Sequence, residues 1–233
     1  MLTPARQRGV EILDDPSVDP DVRRQSISDV TRSNRWLGGL RAAQLSVRDA
    51  VAQLGSDGTV LDVGTGLADI PARVRREAQR AGTSLTTIGV DEAVSLLASA
   101  SAAGRVTHVV AASALALPFR DRSIDLVMCS QLLHHFEHRD AEGLLAEMDR
   151  VAKRAVAVSD LRRSWLAAFG FWLVSWIFRF HRVTRHDGVV SVLRGFTAVE
   201  LTELIRSATG STPTVSRRLG FRLTARWSPR RTG

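Results

Sequence analysis

Residues 60–71 read Val60-Leu61-Asp62-Val63-Gly64-Thr65-Gly66-Leu67-Ala68-Asp69-Ile70-Pro71, and this stretch decides the fold. Thr59 to Val63 is a short buried-strand pattern, broken by Gly64-Thr65-Gly66. A helix with Pro71 near its start then runs to about Ala81, where Gly82 ends it. The glycines let the backbone turn tightly and approach a ligand, and the helix behind them offers unpaired N–H groups. A Gly-x-Gly turn by itself suits any nucleotide-binding α/β domain. No Gly-Lys-Ser/Thr follows, which disfavours a phosphate loop, and the dinucleotide fingerprint would need glycine where Asp69 stands.

Outward from this turn the chain alternates strand and helix. Leu85–Val90 is a second strand closed by Asp91, with a helix over Glu92–Ala102. Val106–Ala112 and Ile124–Ser130 are the third and fourth strands. Glu142–Lys153 is an amphipathic helix and Ala155–Ser159 a fifth strand. Thr197 and Glu200 form a capping box behind Phe196, opening a helix to about Ala208 that Gly210 stops. Thr214–Trp227 turns at Gly220 and reads as an antiparallel hairpin. The expectation is an α/β fold: a Rossmann-like, seven-stranded, mostly parallel sheet with a C-terminal antiparallel hairpin, covered by helices on both faces. Upstream, Asp19-Pro20 caps one helix and a second spans about Leu40 to Leu54, with Gly55 as its stop. Residues 1–55 thus read as an N-terminal helical cap on a domain of residues 56–233, which carries an aromatic helical insertion at 162–196.

Composition narrows the function. With 233 residues, 44% apolar and 24% charged, the chain can build one core of ordinary size. The single cysteine, Cys129, excludes an internal disulfide and a Cys-built zinc site. The opening MLTPARQRGVEILDD has no apolar core of a secretory signal, so a cytoplasmic location is expected. The net charge of +8 is uneven: residues 1–150 carry 17 Lys+Arg against 20 Asp+Glu, and residues 151–233 carry 15 against 4. All basic residues but Lys153 are arginine, a usage that points to a GC-rich genome more than to phosphate recognition. The tail arginines (Arg217, Arg218, Arg222, Arg226, Arg230, Arg231) would suit RNA phosphates. Against that, no recognisable RNA-binding module is visible in the sequence, so a nucleic-acid partner is not the favoured expectation.

Three segments in order, VLDVGTGLADIP (60–71), IGVDEA (88–93) and ASALALPFRDRSIDLVMCSQLLHHF (112–136), resemble the class I S-adenosylmethionine-dependent methyltransferases, most closely the small-molecule branch that includes the quinone methyltransferases. The resemblance covers about residues 55–160. It implies that Asp62, Gly64, Thr65 and Gly66 hold the methionine moiety of S-adenosylmethionine, that Asp91, with Glu92 beside it, accepts from the ribose, that Ser113, Ala114 and Leu115 flank the adenine, and that Ser130 and Gln131 line the cofactor. Two positions depart from the pattern: Ala68 stands for a glycine, and Ser113 for an aspartate that would accept from the adenine amino group with charge assistance. The implied activity is methylation of a small, hydrophobic phenol or quinol, of the kind met in secondary metabolism, with O-methylation preferred and C-methylation open. Ser113 keeps open a non-catalytic, ligand-binding or partner-subunit role, and the basic tail an RNA methyltransferase.

His134 and His135 are the candidate catalytic bases, since methyl transfer to a hydroxyl needs the oxygen's proton removed. The same residues with His138, and Glu137 or Asp140, could in principle hold a metal, but adjacent histidines point apart and no metal is expected. His181 and His186 are further histidines within reach of a pocket. Trp165 to Phe178 is 14 residues without a charge, bracketed by Arg162, Arg163 and Arg179, too short to span a bilayer. Trp165, Phe169, Trp172, Trp176 and Phe180 share one helical face, expected either as the lid of an apolar substrate pocket or as a peripheral membrane contact with arginines at the headgroups, with plain core packing as the alternative. Trp36 is expected to close over the cofactor or to pack.

Overall fold

The computed structural model describes residues 3–230 other than 8, 16 and 56. Seven strands form one sheet: β1 (Asp57–Val63), β2 (Ser84–Asp91), β3 (His108–Ala111), β4 (Ile124–Ser130), β5 (Ala152–Leu161), β6 (Thr214–Arg218) and β7 (Arg222–Trp227). Their order is β3-β2-β1-β4-β5-β7-β6, parallel throughout except for β7, which runs antiparallel to both β5 and β6. Between β2, β1 and β4 the order reverses direction, and a ligand crevice is expected at the carboxyl ends of these strands.

Strand alternation builds two cores. Leu61 and Val63 of β1 and Val127 and Cys129 of β4 face α5 (His138–Val151) and α8 (Ala198–Thr209). Val60, Leu126 and Met128 point the other way, onto α2 (Gly39–Val51) and α3 (Asp69–Arg80). The central strands read as continuous apolar runs because both faces are covered. α4 (Val94–Ala102) flanks β3, and Ala100 packs with Ala68 and Val106. Above the carboxyl edge lie α1 (Pro20–Trp36), α6 (Trp165–Ile177) and α7 (Arg182–Arg194).

Local chemistry explains the boundaries. Asp19 caps α1 by accepting from Asp21 and Val22, and the Thr197–Glu200 box opens α8 with both reciprocal bonds. α4 starts at Val94, not Glu92, because the Asp91 carboxylate takes the Ala93 N–H at 2.9 Å and holds a turn there. α5 starts four residues earlier than its apolar period suggests, because its first turn, His138-Arg139-Asp140, lies in solvent and carries no periodic signal. β5 is longer than the apolar run, since the buried Asp160 near its end keeps its hydrogen bonds inside the fold. α7 is a helix that pattern alone did not separate from the insertion. Its buried face includes Thr184 and Asp187, and Asp187 accepts from the Ile12 and Leu13 N–H groups. The N-terminal segment is thereby sewn to the insertion: Arg163 donates to the Pro4 carbonyl and Arg6 to the Arg194 carbonyl. No helix of the described residues is long and apolar enough to cross a membrane.

Candidate functional site

β1 ends on two glycines with left-handed backbone, Gly64 (φ 70°) and Gly66 (φ 53°). The Gly64 and Thr65 N–H groups bond to the Val90 carbonyl at 2.8 and 2.9 Å, folding the loop across the end of β2. A Cβ on Gly64 would sit 2.8 Å from the Leu132 side chain, whereas one on Gly66 would meet nothing within 4 Å. Gly66 therefore leaves its backbone open to a ligand. Its N–H donates to Asp91 at 2.8 Å, so the acid at the end of β2 also ties down the loop.

Asp62 is buried and accepts from the Thr65 hydroxyl at 2.8 Å. Burial, opposed by that bond and aided by Asp91, pushes its carboxyl up to about 7. A cationic ligand beside it would draw it into the ionised form. The linkage has a definite sign: with the folded value raised above the ordinary 3.8, the carboxylate form costs folding stability as pH rises from about 4 to about 7, and binding a cation at pH 6 must expel the proton. Titration calorimetry with S-adenosylmethionine in buffers of different ionisation enthalpy should therefore show up to about one proton released at pH 6 and almost none at pH 8.5. Heats independent of buffer at both pH values would remove Asp62 from the site.

The loop opens into a cleft of about 1050 Å³ whose lining includes Asp62, Gly64, Thr65, Gly66, Asp91, Ser130, Gln131, His134 and His135. These sequence candidates come together. Glu92, Ser113, Ala114 and Leu115 do not line the cleft; they lie beyond the ends of β2 and β3, where the Ser113 hydroxyl accepts from the Leu115 N–H at 3.4 Å. Trp165, Phe169 and Trp172 also stay outside it, at 53%, 59% and 44% exposed. The cleft is walled instead by the opposite face of α6, through Ala167, Gly170, Phe171 and Val174. Trp36 is exposed as well and rests 6.4 Å from the Phe178 ring, at the edge of the same outer aromatic face. Phe180 is the exception, buried beneath it.

His134 is buried, and its Nδ1 lies 2.6 Å from Asp160, which also accepts the His134 backbone N–H at 3.1 Å. Burial alone would raise the Asp160 carboxyl, but His134 outweighs it and holds the group below the ordinary carboxylate value. The ionised Asp160 can only accept in this contact, so Nδ1 carries a hydrogen and Nε2 is the ring nitrogen left for the cleft. The His135 ring lies 4.3 Å from that of His134, tilted by 35°. Although 36% of its side chain is open to the cleft, burial first, and then His134, push it down to about 3, so it is neutral at every working pH.

Glu11 places a carboxylate beside the two histidines, and the three groups offer ligand atoms within 4.8 Å of one another. Glu11 is also engaged by the Ser191 hydroxyl at 2.6 Å and by Arg194 at 3.2 Å, a cation that opposes a second one there. Glu137 and Asp140, the acids adjacent in sequence, are exposed on α5, and His138 faces Glu142 at 3.7 Å in solvent. His181 caps α7 and His186 pairs with Asp187. Asp160 and Glu11 were missed by pattern, and Arg222 was read only as one of the tail arginines; the visible signal for Asp160 was a lone charge at the end of a strand-like run. The described tail arginines do not share one face, since Arg222 is buried and Arg226 pairs with Asp49, and Arg231 lies outside the described residues.

A sheet of this order with its seventh strand reversed, and a glycine turn facing an acid at the switch point, defines a class I S-adenosylmethionine-dependent methyltransferase domain. Residues 61–158, less than half of the chain, match the family model described as methyltransferase domain, which assigns S-adenosylmethionine-dependent methyl transfer to this part of the chain. The fold is shared with the plantazolicin methyltransferase BpumL in complex with SAH (11% identity, TM-score 0.69, 91% of this chain and 92% of that one). It is shared too with a SAM-dependent methyltransferase from Aquifex aeolicus (16%, 0.60, 86% and 97%). A third relative is the magnesium protoporphyrin IX methyltransferase ChlM from Synechocystis PCC 6803 (11%, 0.55, 94% and 88%). The residues present fit the cofactor: open space over Gly66, an acid at each strand end, and a buried Ser130 hydroxyl without a protein partner in the described residues.

Proposed function

We propose that the chain methylates an oxygen of a small lipophilic phenol or quinol, and that His134 takes the proton. One observation carries this reading: beyond the glycine loop, the cleft passes between Ile27 and Val30 of α1, Ala167, Phe171 and Val174 of α6 and Val192 of α7, and meets the imidazole that Asp160 orients. Bound S-adenosylmethionine supplies an electrophilic methyl on a sulfonium sulfur. The Gly64–Gly66 loop and Asp62 hold its methionine end, and Asp91 accepts from the ribose hydroxyls. As the acceptor oxygen took the methyl and the S–CH₃ bond broke to leave neutral S-adenosylhomocysteine, His134 Nε2 would take the O–H proton and Asp160 would stabilise the resulting imidazolium. His135, too weakly basic for that task, stays neutral and presents a polar edge to the acceptor. The apolar walls exclude water and align the two partners.

The outer face of α6 gives a lipophilic acceptor a route in. Trp165, Phe169, Trp172 and Trp176 project from the helix whose other side walls the cleft, and α6 carries no acidic residue. Exposed Arg32, Arg35, Arg179 and Arg182 surround it, so a second copy would bring like charges together, whereas an anionic bilayer is complementary. The test is a methyl-transfer assay over a panel of phenols, quinols and short RNAs, with and without phosphatidylglycerol vesicles. Turnover should be confined to apolar phenols or quinols, fall about 10²- to 10⁴-fold in His134→Gln with S-adenosylhomocysteine binding unchanged, and rise when vesicles carry the acceptor. Turnover of RNA alone, or His134→Gln as active as the parent, would overturn the reading.

A further inference from the structure

Arg222 opens β7 beside the end of β5 and lines the cleft, yet it is only 4% exposed. Its Nη1 donates to the Gln131 side-chain oxygen at 2.9 Å, while its buried Nε has no partner in the described residues. No carboxylate of the described residues pairs with it. Asp160 acts on it only through space and is already committed to His134. Burial draws the guanidinium down to about 10, so it remains a cation. An unmatched buried charge is among the costliest features a fold can hold, and a planar guanidinium is shaped for a two-oxygen anion.

Its surroundings complete a cradle. A Cβ on Gly39 would stand 3.0 Å from the Asn34 side-chain oxygen, 3.1 Å from the Gln131 amide nitrogen and 3.3 Å from Arg222 Nη2, so three polar termini converge over the one residue without a side chain. The Ser130 hydroxyl on the same strand-four loop is buried and also lacks a partner. We propose that Arg222, with Gln131 and Ser130, forms a carboxylate-binding subsite in the wall of the cleft. A monoanion is the match, because one buried guanidinium neutralises one charge, and the other cleft arginines that stand clear of the wall, Arg35, Arg73 and Arg76, are exposed at its rim. The assignment rests on the methyltransferase reading for the source of the carboxylate, which is either the amino-acid end of the cofactor or an acidic group on the acceptor.

The experiment compares the parent protein with Arg222→Gln by titration calorimetry, after circular dichroism and melting show that the variant folds. The probes are S-adenosylhomocysteine, 5′-methylthioadenosine (the same thioether nucleoside without the amino acid), and, on S-adenosylhomocysteine-loaded and unloaded protein, 4-hydroxybenzoate against phenol. A loss of roughly 30-fold or more for S-adenosylhomocysteine with methylthioadenosine unchanged places the cofactor carboxylate on Arg222. Unchanged S-adenosylhomocysteine with 4-hydroxybenzoate binding lost and phenol unaffected places the acceptor there. Arg222→Lys, which keeps the charge but not the fork, should move in the same direction by less, and it serves if the glutamine variant fails to fold. The subsite is overturned if the variants bind S-adenosylhomocysteine as the parent does and no benzoate binding depends on Arg222. A parent that binds neither nucleoside overturns the cofactor reading instead, and the benzoate arm on unloaded protein still decides the subsite.

Discussion

Asp91→Ala is expected to weaken S-adenosylhomocysteine binding more than a hundredfold while leaving the protein folded. The carboxylate does two jobs at once. One oxygen takes the Gly66 N–H at 2.8 Å and the other the Ala93 N–H at 2.9 Å, so the glycine loop and the start of α4 are pinned to the same group. The lone pairs that remain are the natural acceptors for a pair of ribose hydroxyls. Charge-assisted hydrogen bonds contribute about 1.5–3 kcal/mol each, so losing two costs about 3–6 kcal/mol of binding, before the freed loop is counted. Asp91 is only partly buried and belongs to neither core, so the melting temperature should fall little. Asp91→Asn keeps the shape and one acceptor and should lie between the two. Titration calorimetry decides: an alanine variant binding within threefold of the parent would take the ribose away from this residue.

The second large effect is on stability, and it comes from Gly220→Ala. Gly220 has φ 74°, and a Cβ built there would lie 2.0 Å from the carbonyl oxygen of Leu37. Across the same contact Gly38, at φ 80°, would place its Cβ 3.1 Å from the Leu219 carbonyl. Backbone meets backbone here, and neither side can swing away as a side chain would. Left-handed strain of about 1 kcal/mol and a forced shift of about 1–3 kcal/mol together predict about 3 kcal/mol of destabilisation. For a chain of this size that is a drop of about 6–12 °C in melting temperature. Gly82→Ala is the control, since it shares the positive φ but its Cβ would meet nothing within 4 Å. It should cost only about 1 kcal/mol. Equal losses in the two variants would show that φ alone matters and that the contact does not.

What could be read from the sequence and what could not divides along physical lines. Features written in neighbouring residues were legible: the Gly64–Gly66 turn, the Asp19 cap, the Thr197–Glu200 box and the turn at Gly220 all depend on short-range chemistry. The class of the fold followed from their order. The aromatic stripe was legible only as a stripe, because helical spacing shows that Trp165, Phe169 and Trp172 share a face but not which way it points. Their small neighbours Ala167 and Gly170 reach the cleft because α6 must approach it closely. α7 escaped notice because its buried positions include Thr184 and Asp187, satisfied by partners far away in the chain. Asp160 and Arg222 are the clearest case. Each is a charged residue in a strand, and its meaning lies in what the sheet brings beside it: His134 for one, Gln131 for the other.

The contact between Leu37-Gly38 and Leu219-Gly220 also has a bearing on how the protein is made. One side of it is synthesised before the sheet begins and the other only after β6, so six of the seven strands lie between them. The glycine loop and β2 can form while the ribosome is still working, but the wall that holds Arg222 cannot close until the final hairpin has emerged. Such long-separated contacts are slow to form, because their loop-closure entropy falls due before any packing rewards it. Ligand recognition therefore matures only once β7 has been made, and a chain stopped short of β7 would keep a nucleotide-binding fragment with no means of closing it.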